Sequence, residues 1–254
     1  MHNNYVGDFG DFAKYAMLRS LSARTGLRLG VVWYLYTDPC KDTDGQYLDY
    51  LDKGKEHLYR HCDSELYDKL RDLRDAGDRN VAAVKNRGLL PKNVVFFDAP
   101  LSLSVLPKGT GKAKLQREQV RQQWFAEALA HTEAADLIFL DPDNGLEVRS
   151  TAYHQDKSPK FAFYREVDQF WRRGQSLVIY QHKNLHETAG MQIQNRFKEL
   201  CGHLTTKEAY AIYLPSHSGR IFFVVPQPDV AGFLKRAVEE FACRWPNIKM
   251  FDSV

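Results

Sequence analysis

The chain has 254 residues, of which 44% are hydrophobic and 26% are charged, an ordinary balance for a folded globular protein. No apolar run approaches the length that crosses a bilayer, which argues against a membrane protein. The formal net charge of +3 is compatible with an anionic partner but falls short of a dedicated nucleic-acid-binding footprint.

Four cysteines are scattered along the chain, and none lies in a C-x-x-C pair. This spacing predicts neither a zinc site nor a disulfide framework, and it favours reduced thiols. The first residues lack the basic and apolar regions of a secretory signal peptide. We therefore expect a cytoplasmic protein with no membrane partner, built as one domain over residues 1–254 with a helical insertion around residues 46–90.

The first predicted element is a helix that either Asp8 or Asp11 can cap. Its apolar stripe consists of Phe12, Tyr15, Ala16, Leu18 and Leu21. Asp11 and Lys14 share a helix face because they are three residues apart. One interpretation is a cap beside a weak surface ion pair. The other is a ligand site, because free N–H groups at a helix start favour polar ligands.

The next two predicted strands, residues 29–36 and 94–98, each lead into a polar loop. The loop after the first strand contains Asp38 and Asp44 but a single glycine, Gly45, so it lacks the Gly-rich fingerprint of dinucleotide-binding proteins. The second strand ends in Asp98. Between these strands, residues 46–86 are polar with apolar residues at helical spacing, which is typical of surface helices.

A basic segment, residues 108–121, follows the second strand. Three lysines, Lys108, Lys112 and Lys114, lead into a predicted helix that contains Arg117 and Arg121. The segment is either a solvated basic face or a set of phosphate contacts.

After Ala135 and Asp136, residues 137–140 form an unbroken apolar run, the pattern of a strand buried on both faces, and a polar turn follows at once. The turn contains Asp141, Asp143 and Asn144, with Glu147 downstream. Ligands of open α/β sheets bind just outside the carboxyl ends of the strands, so these acceptors stand where a ligand would be held. The structural alternative is an ordinary strand exit built from common turn residues.

A further apolar strand, residues 176–180, leads to His182. We expect this strand and the one before Asp141 to be parallel neighbours, so that Asp141 and His182 face a common crevice. A histidine that makes only structural hydrogen bonds is the alternative interpretation.

The last two predicted strands, residues 209–214 and 220–225, flank a short polar link. They must be antiparallel, because a parallel return requires a crossover of about a dozen residues or more. Upstream, strands alternate with helices, which predicts a mostly parallel sheet. The expected fold is therefore α/β, with a Rossmann-like mostly parallel sheet, helices on both faces and a C-terminal antiparallel hairpin.

This arrangement resembles the class I S-adenosylmethionine-dependent methyltransferase fold, in which a Rossmann-like sheet contains one reversed strand inserted by a hairpin. In the amino-methylating branch of that family, a strand ends in an Asp/Asn-Pro-Pro-Tyr/Phe motif. The matching turn here is Asp141-Pro142-Asp143-Asn144, in which the last two residues replace the second proline and the aromatic. With His182, this turn supplies the candidate catalytic residues.

The opening segment, Gly-Asp-Phe-Gly-Asp-Phe-Ala-Lys-Tyr at residues 7–15, is similar to a Gly-Asn-x-x-Asp-x-x-Lys-His segment of a ribosomal-RNA adenine-N6 methyltransferase family. Combined with the Leu-Asp-Pro-Asp-Asn-Gly-Leu-Glu stretch at residues 140–147, the opening Asn-Tyr-x-Gly-Asp-x-x-Asp-x-x-Lys-Tyr pattern also resembles a group of uncharacterised bacterial and phage-associated proteins. The methyltransferase likeness implies S-adenosylmethionine as cofactor and RNA or DNA as partner. By the same likeness, Asp11 and Lys14 would lie near the cofactor. Asp38 or Asp44 would lie near its methionine end, and Asp98 near its adenosine.

Two other functions fit the same residues. A metal-dependent phosphoesterase or nuclease could hold Mg²⁺ with Asp141, Asp143 and Glu147. A non-catalytic factor could bind nucleotide or nucleic acid through residues 108–121. If Asp141 acts in catalysis, Asp141→Ala is expected to abolish turnover and leave the fold intact, since a strand-end acid contributes little to core packing.

Overall fold

The computed structural model describes residues 3–36, 45–216 and 219–253. The α-helices are α1 (Phe9–Thr25), α2 (Glu56–Tyr59), α3 (Ser64–Asp75), α4 (Val81–Asn86), α5 (Lys112–His131), α6 (Tyr164–Arg172), α7 (Ala189–Leu204) and α8 (Ala231–Arg244). The strands are β1 (Leu29–Trp33), β2 (Val95–Phe97), β3 (Leu137–Asp141), β4 (Gly145–Leu146), β5 (Phe161–Ala162), β6 (Ser176–His182), β7 (Tyr210–Leu214), β8 (Arg220–Val225) and β9 (Lys249–Asp252).

Seven strands form the main sheet, in the order β2-β1-β3-β6-β8-β7-β9. The pairs β1–β2, β1–β3 and β3–β6 are parallel, whereas β8 is antiparallel to both β6 and β7. These pairings confirm the predicted fold class, the parallel β3–β6 pair and the hairpin. Two features were not predicted: the edge strand β9, which pairs with β7, and the small parallel sheet of β4 and β5.

Helices cover both faces of the sheet, and alternate residues of β3 show how the core is divided. Leu137 and Phe139 pack on the side that holds α1 and α8, while Ile138 and Leu140 pack on the side that holds α5, α6 and α7. Successive side chains of a strand point to opposite faces, so a strand covered on both faces has to be apolar throughout. This is why the unbroken apolar run predicted β3 correctly.

Helix α1 begins at the edge of the sheet where the polar turns lie. Asp8 is its N-cap, because its carboxylate accepts a hydrogen bond from the backbone N–H of Asp11 at 2.8 Å. Asp11 therefore lies inside the first turn. Asp11 and Lys14 are only 2% and 4% exposed, so the surface ion-pair interpretation is wrong.

Between β1 and β2, the chain forms α2, α3, α4 and short 3-10 turns at Asp49–Leu51 and Arg60–Cys62. Leu66, Leu70 and Leu73 of α3 are buried in the same core cluster as α1. Within the described ranges, none of the helices is long and apolar enough to cross a membrane.

The basic segment divides into an exposed part and a buried part. Lys108, Lys112 and Lys114 are exposed, whereas Arg117 and Arg121 are buried. Arg121 forms an ion pair with Glu166 at 2.7 Å, and Arg117 donates to the carbonyl oxygen of Leu103 at 2.6 Å. The two arginines thus hold the fold together, whereas the lysines are exposed at the surface, where Lys108 lies 2.7 Å from Asp156.

Candidate functional site

A cavity of about 430 Å³ lies at the carboxyl ends of β3 and β6. The first turn of α1, the segment of residues 45–47, the turn after β3 and the start of β8 all contribute to its wall. Its charged and hydrogen-bonding side chains include those of Asp8, Asp11, Lys14, Asp141, Asp143, Asn144, Lys160, Tyr180, His182 and Arg220. The structure therefore brings Asp141 and His182 to a common crevice.

Lys14 lies between two carboxylates at the back of the cavity. Its Nζ is 2.7 Å from Asp11 Oδ1 and 3.0 Å from Asp141 Oδ2, and all three side chains are buried. The ammonium also lies 5.4 Å from the centre of the Tyr180 ring, within cation–π range. Burial alone would lower the pKa of Lys14, but the two adjacent carboxylates outweigh it and hold this pKa above its ordinary value. Lys14 is therefore charged at neutral pH.

Asp141 ends β3 and is 2% exposed. Burial raises the pKa of its carboxyl group, and the charge of Lys14 opposes that rise. Asp11 is held from its other side, since Oδ2 accepts hydrogen bonds from the Tyr15 hydroxyl at 2.7 Å and the Gly7 N–H at 3.2 Å. The carboxylates of this cluster are thus fixed in orientation before any ligand arrives.

A second buried ion pair joins the start of α1 to the start of β8. Arg220, at the start of β8, places Nη2 2.7 Å from Asp8 Oδ2. A Cβ atom on Gly10 would overlap the Arg220 guanidinium, so the glycine makes room for this side chain. Sequence reasoning did not assign Arg220 or Asp8 to the site. Gly10 is the sequence feature that could have indicated this contact. Glycine destabilises a helix relative to alanine, so a glycine in the first turn of α1 suggests that another side chain packs closely against it.

The turn after β3 is held by β6 and by the loop before α6. Lys160 Nζ lies 3.3 Å from Asp143 Oδ2. Burial would raise the pKa of Asp143, but nearby positive charge, including that of Lys160, holds it below its ordinary value. The backbone carbonyl of Asn144 accepts hydrogen bonds from the His182 N–H at 3.2 Å and from Gln181 Nε2 at 3.0 Å. The Asn144 residue itself is exposed.

His182 is half-buried at the end of β6. Burial lowers the pKa of its imidazole, and the positive charge of Arg220 lowers it further. His182 is therefore neutral at pH 7 and able to accept a proton. The hydroxyl of Tyr180 lies 3.4 Å from His182 Nδ1, and burial raises the pKa of Tyr180 to about 12.

The remaining predicted site residues are Asp38, Asp44, Asp98 and, in the metal-dependent alternative, Glu147. Asp98 is exposed beyond the end of β2, and Asp38 and Asp44 fall outside the described residues. Glu147 lines a separate cavity of about 600 Å³. In the part of the chain that the structure describes, no group of three or more His, Cys, Asp or Glu side chains has a metal-binding arrangement. Because Glu147 lines the other cavity, the structure does not bring it together with Asp141 and Asp143.

The expectation that Asp141→Ala leaves the fold intact is wrong in its premise. Asp141 is a buried ion-pair partner of Lys14, so removal of its carboxylate takes away one of the two buried carboxylates that stabilise the lysine charge. Breaking a buried pair by removing one partner typically costs about 3–5 kcal/mol. Asp141→Asn, which keeps the volume and one hydrogen-bond acceptor, is the more informative substitution.

No protein-family model matches this chain, and no curated protein matches its sequence. The structure itself defines an α/β protein with a Rossmann-like sheet and a polar cavity at the carboxyl ends of its central strands. Such an edge is the usual ligand-binding position of open α/β sheets. The cavity offers carboxylate acceptors, charged donors and a neutral imidazole, a set suited to binding a polar ligand and moving a proton.

Proposed function

We propose that this protein transfers a methyl group from S-adenosylmethionine to an amino nitrogen of a nucleic-acid base. One observation carries the proposal: the 3.0 Å contact between Lys14 and Asp141, which are 127 residues apart. Lys14 belongs to the opening segment that resembles the methyltransferase family, and Asp141 begins the turn that matches its amino-methylation motif. Two segments singled out separately thus meet at one cavity.

The chain offers suitable chemistry for an amino acceptor. The lone pair of a nucleobase amine is delocalised into the ring, so catalysis requires acceptors that hold the N–H groups and orient the nitrogen. In this proposal Asp141 accepts an N–H of the amine. S-adenosylmethionine, when bound, would supply the methyl group from its positively charged sulfur, with the methyl–sulfur bond broken and neutral S-adenosylhomocysteine as the leaving group. His182, neutral at pH 7, takes the proton that the nitrogen loses as the new C–N bond forms.

Fold and cavity also support the proposal. The reversed strand β8 lies between β6 and β7, as the methyltransferase resemblance implies. A volume of about 430 Å³ falls within the range of about 300–1,000 Å³ that small-molecule sites occupy. Asp11 and Lys14, the two expected cofactor residues that the structure describes at this site, line the wall that α1 contributes.

The turn lacks the aromatic residue that would stack on a flipped base, since Asn144 takes its place. Tyr47 supplies an alternative, because it lines the same cavity and is 41% exposed. Aromatic stacking commonly holds a base that has left its helix. The exposed lysines Lys108, Lys112 and Lys114 provide charge for phosphate contacts in the same proposal.

Calorimetry with S-adenosylmethionine and with its demethylated product, S-adenosylhomocysteine, tests the cofactor. Saturable binding of both is expected, and it should weaken in Lys14→Gln. Glu133→Gln, a change at an exposed residue outside the cavity, is the matched control and should bind as the wild type does. The cofactor assignment fails if neither compound binds the wild-type protein.

Transfer is then measured with radiolabelled S-adenosylmethionine and with RNA and DNA as separate substrates. Label should appear in one of the two nucleic acids with the wild type and with Glu133→Gln, and it should disappear with Asp141→Asn. Cofactor binding without label in either nucleic acid contradicts the proposed acceptor. Label that persists with Asp141→Asn contradicts the role of Asp141.

A further inference from the structure

Arg220 is a buried cation whose hydrogen-bonding capacity is only partly used. It is 7% exposed and lines the cavity. Its Nη2 pairs with Asp8 at 2.7 Å and Tyr180 also interacts with its side chain, whereas no partner among the residues that the structure describes meets hydrogen-bond geometry with its Nη1. A buried charged donor without a partner is costly, so such a group commonly marks a position that another molecule completes.

The Arg220 side chain occupies space that is open only because residue 10 of α1 is glycine, a residue with low helix propensity. Gly10 lies in the first turn of α1, and any side chain there would overlap the guanidinium. Glycine inside a helix is unfavourable relative to alanine. Because the Asp8 carboxylate already holds one end of the guanidinium, the arginine is fixed in place with Nη1 buried and without a hydrogen-bond partner among the described residues.

The sheet order indicates which molecule Arg220 meets. The strands run β1-β3-β6-β8 across the cavity edge, and the expected cofactor residues beyond α1 belong to the loops after β1 and β2. Arg220 starts β8, opposite His182 in the strand register, and β8 lies on the other side of β3, the strand that Asp141 ends, from β1 and β2. On the proposed function, that side receives the methyl acceptor.

The charge of the site argues against a phosphate at this position. Among the described lining residues there are four carboxylates and three cations, a formal total of −1 with His182 neutral. An anion would enter against that charge, whereas a neutral acceptor atom would not. A nucleobase edge offers such atoms, namely ring nitrogens and carbonyl oxygens.

We propose that Arg220 is a substrate-binding residue whose Nη1 donates a hydrogen bond to a ring nitrogen next to the amine that Asp141 holds. This inference rests on the proposed function and adds a specific contact to it. The site then reads two neighbouring groups of one base edge, with a carboxylate for the amine and a guanidinium for the adjacent nitrogen. A base whose amine has an N–H donor beside it fits less well, because two donors would face each other.

Nucleosides in which one ring nitrogen is replaced by carbon test this contact. The probes are adenosine, 1-deazaadenosine, 7-deazaadenosine, cytidine and 3-deazacytidine, titrated by calorimetry into the full chain saturated with S-adenosylhomocysteine. The wild type should bind adenosine or cytidine and should lose roughly 10-fold to 100-fold in affinity when the nitrogen that Arg220 contacts is absent. Equal binding of every deaza compound and its parent, or no binding of either parent, overturns the inference.

Arg220→Lys identifies the donor. Lysine preserves a positive charge for Asp8 but presents a single ammonium in place of the planar fork. In this variant the difference between parent and deaza nucleoside should fall to about 2-fold or less, while S-adenosylhomocysteine binds as before. A difference as large as in the wild type overturns the inference and leaves the proposed function standing.

If Arg220→Lys does not fold, the paired substitution Asp8→Asn with Arg220→Met removes both partners of the ion pair and replaces the lysine variant, with the same outcomes. If the wild type does not bind S-adenosylhomocysteine at all, the failure concerns the cofactor and not the Arg220 contact. It refutes the proposed function, and the assignment of Arg220 to a methyl acceptor falls with it.

Discussion

Replacement of Lys14 by methionine should destabilise the protein strongly, because Lys14 lies between two buried carboxylates. Its Nζ lies 2.7 Å from Asp11 and 3.0 Å from Asp141. At an effective dielectric constant of about 20, unit charges at these separations attract by about 5 to 6 kcal/mol per pair. Desolvation of the ammonium offsets much of this attraction, so we expect a net loss near the 3–5 kcal/mol that is typical of breaking a buried pair.

Thermal unfolding monitored by circular dichroism measures this loss. For a chain of this size 1 kcal/mol corresponds to about 2–4 °C, so Lys14→Met should lower Tm by roughly 6 to 20 °C. The loss should be smaller at pH 5 than at pH 8. Without Lys14 the pKa of the buried Asp141 carboxyl rises further above its unfolded value, so the folded state takes up a proton and gains stability as the pH falls.

The double variant Lys14→Met with Asp141→Asn is the matched comparison, because it removes the charge that the first substitution leaves unpaired. It should be more stable than Lys14→Met alone at pH 8, and its Tm should depend less on pH. A Tm change below about 2 °C for Lys14→Met, or an equal loss at both pH values, would refute the view that this cluster is a buried charge network.

Three further predictions concern single residues of the site. Asp141→Asn should reduce methyl transfer by about 100-fold or more, with S-adenosylhomocysteine binding retained in calorimetry; full activity would contradict the acceptor role. If His182 accepts the proton, the wild-type transfer rate should fall at acidic pH, below the ordinary histidine pKa of about 6.5, because burial lowers the pKa of His182. His182→Gln should abolish this fall, and an unchanged pH–rate profile would exclude His182 as the proton acceptor. Gly10→Ala should lower the free energy of unfolding by about 1–3 kcal/mol in urea denaturation, because the new methyl group displaces Arg220. The control Gly202→Ala in α7 has open space around the new methyl group and should be neutral or stabilising. Equal effects of the two substitutions would show that Gly10 has no packing role.

Local pattern predicted the parts of the fold that burial determines. The apolar runs of β3 and β6 exceed anything that a solvent-exposed loop would carry, and the short link between β7 and β8 leaves an antiparallel pairing as its geometric solution. The edge strand β9 escaped prediction because its residues are exposed or half-buried and carry no apolar alternation. The strands β4 and β5 have two residues each, too few to produce a pattern.

The candidate site was predictable where strand ends supply it and unpredictable where distant segments meet. Asp141 and His182 follow from the rule that ligands collect at carboxyl ends of parallel strands. The burial of Lys14 does not follow from its helix, because the neighbours that enclose it come from β3 and β6. For the same reason the sequence leaves Arg121 either on a solvated basic face or in a phosphate contact, whereas it is buried against Glu166, 45 residues away.

The Asp8–Arg220 pair has a consequence for biosynthesis, because its partners are 212 residues apart in sequence. Arg220 is added to the chain 212 residues after Asp8, an interval of roughly 10 to 40 s at about 5–20 residues per second. During that interval the nascent helix start has no access to its cationic partner. Premature termination before β8 would therefore yield chains in which the cavity wall is incomplete, however well the earlier strands had assembled.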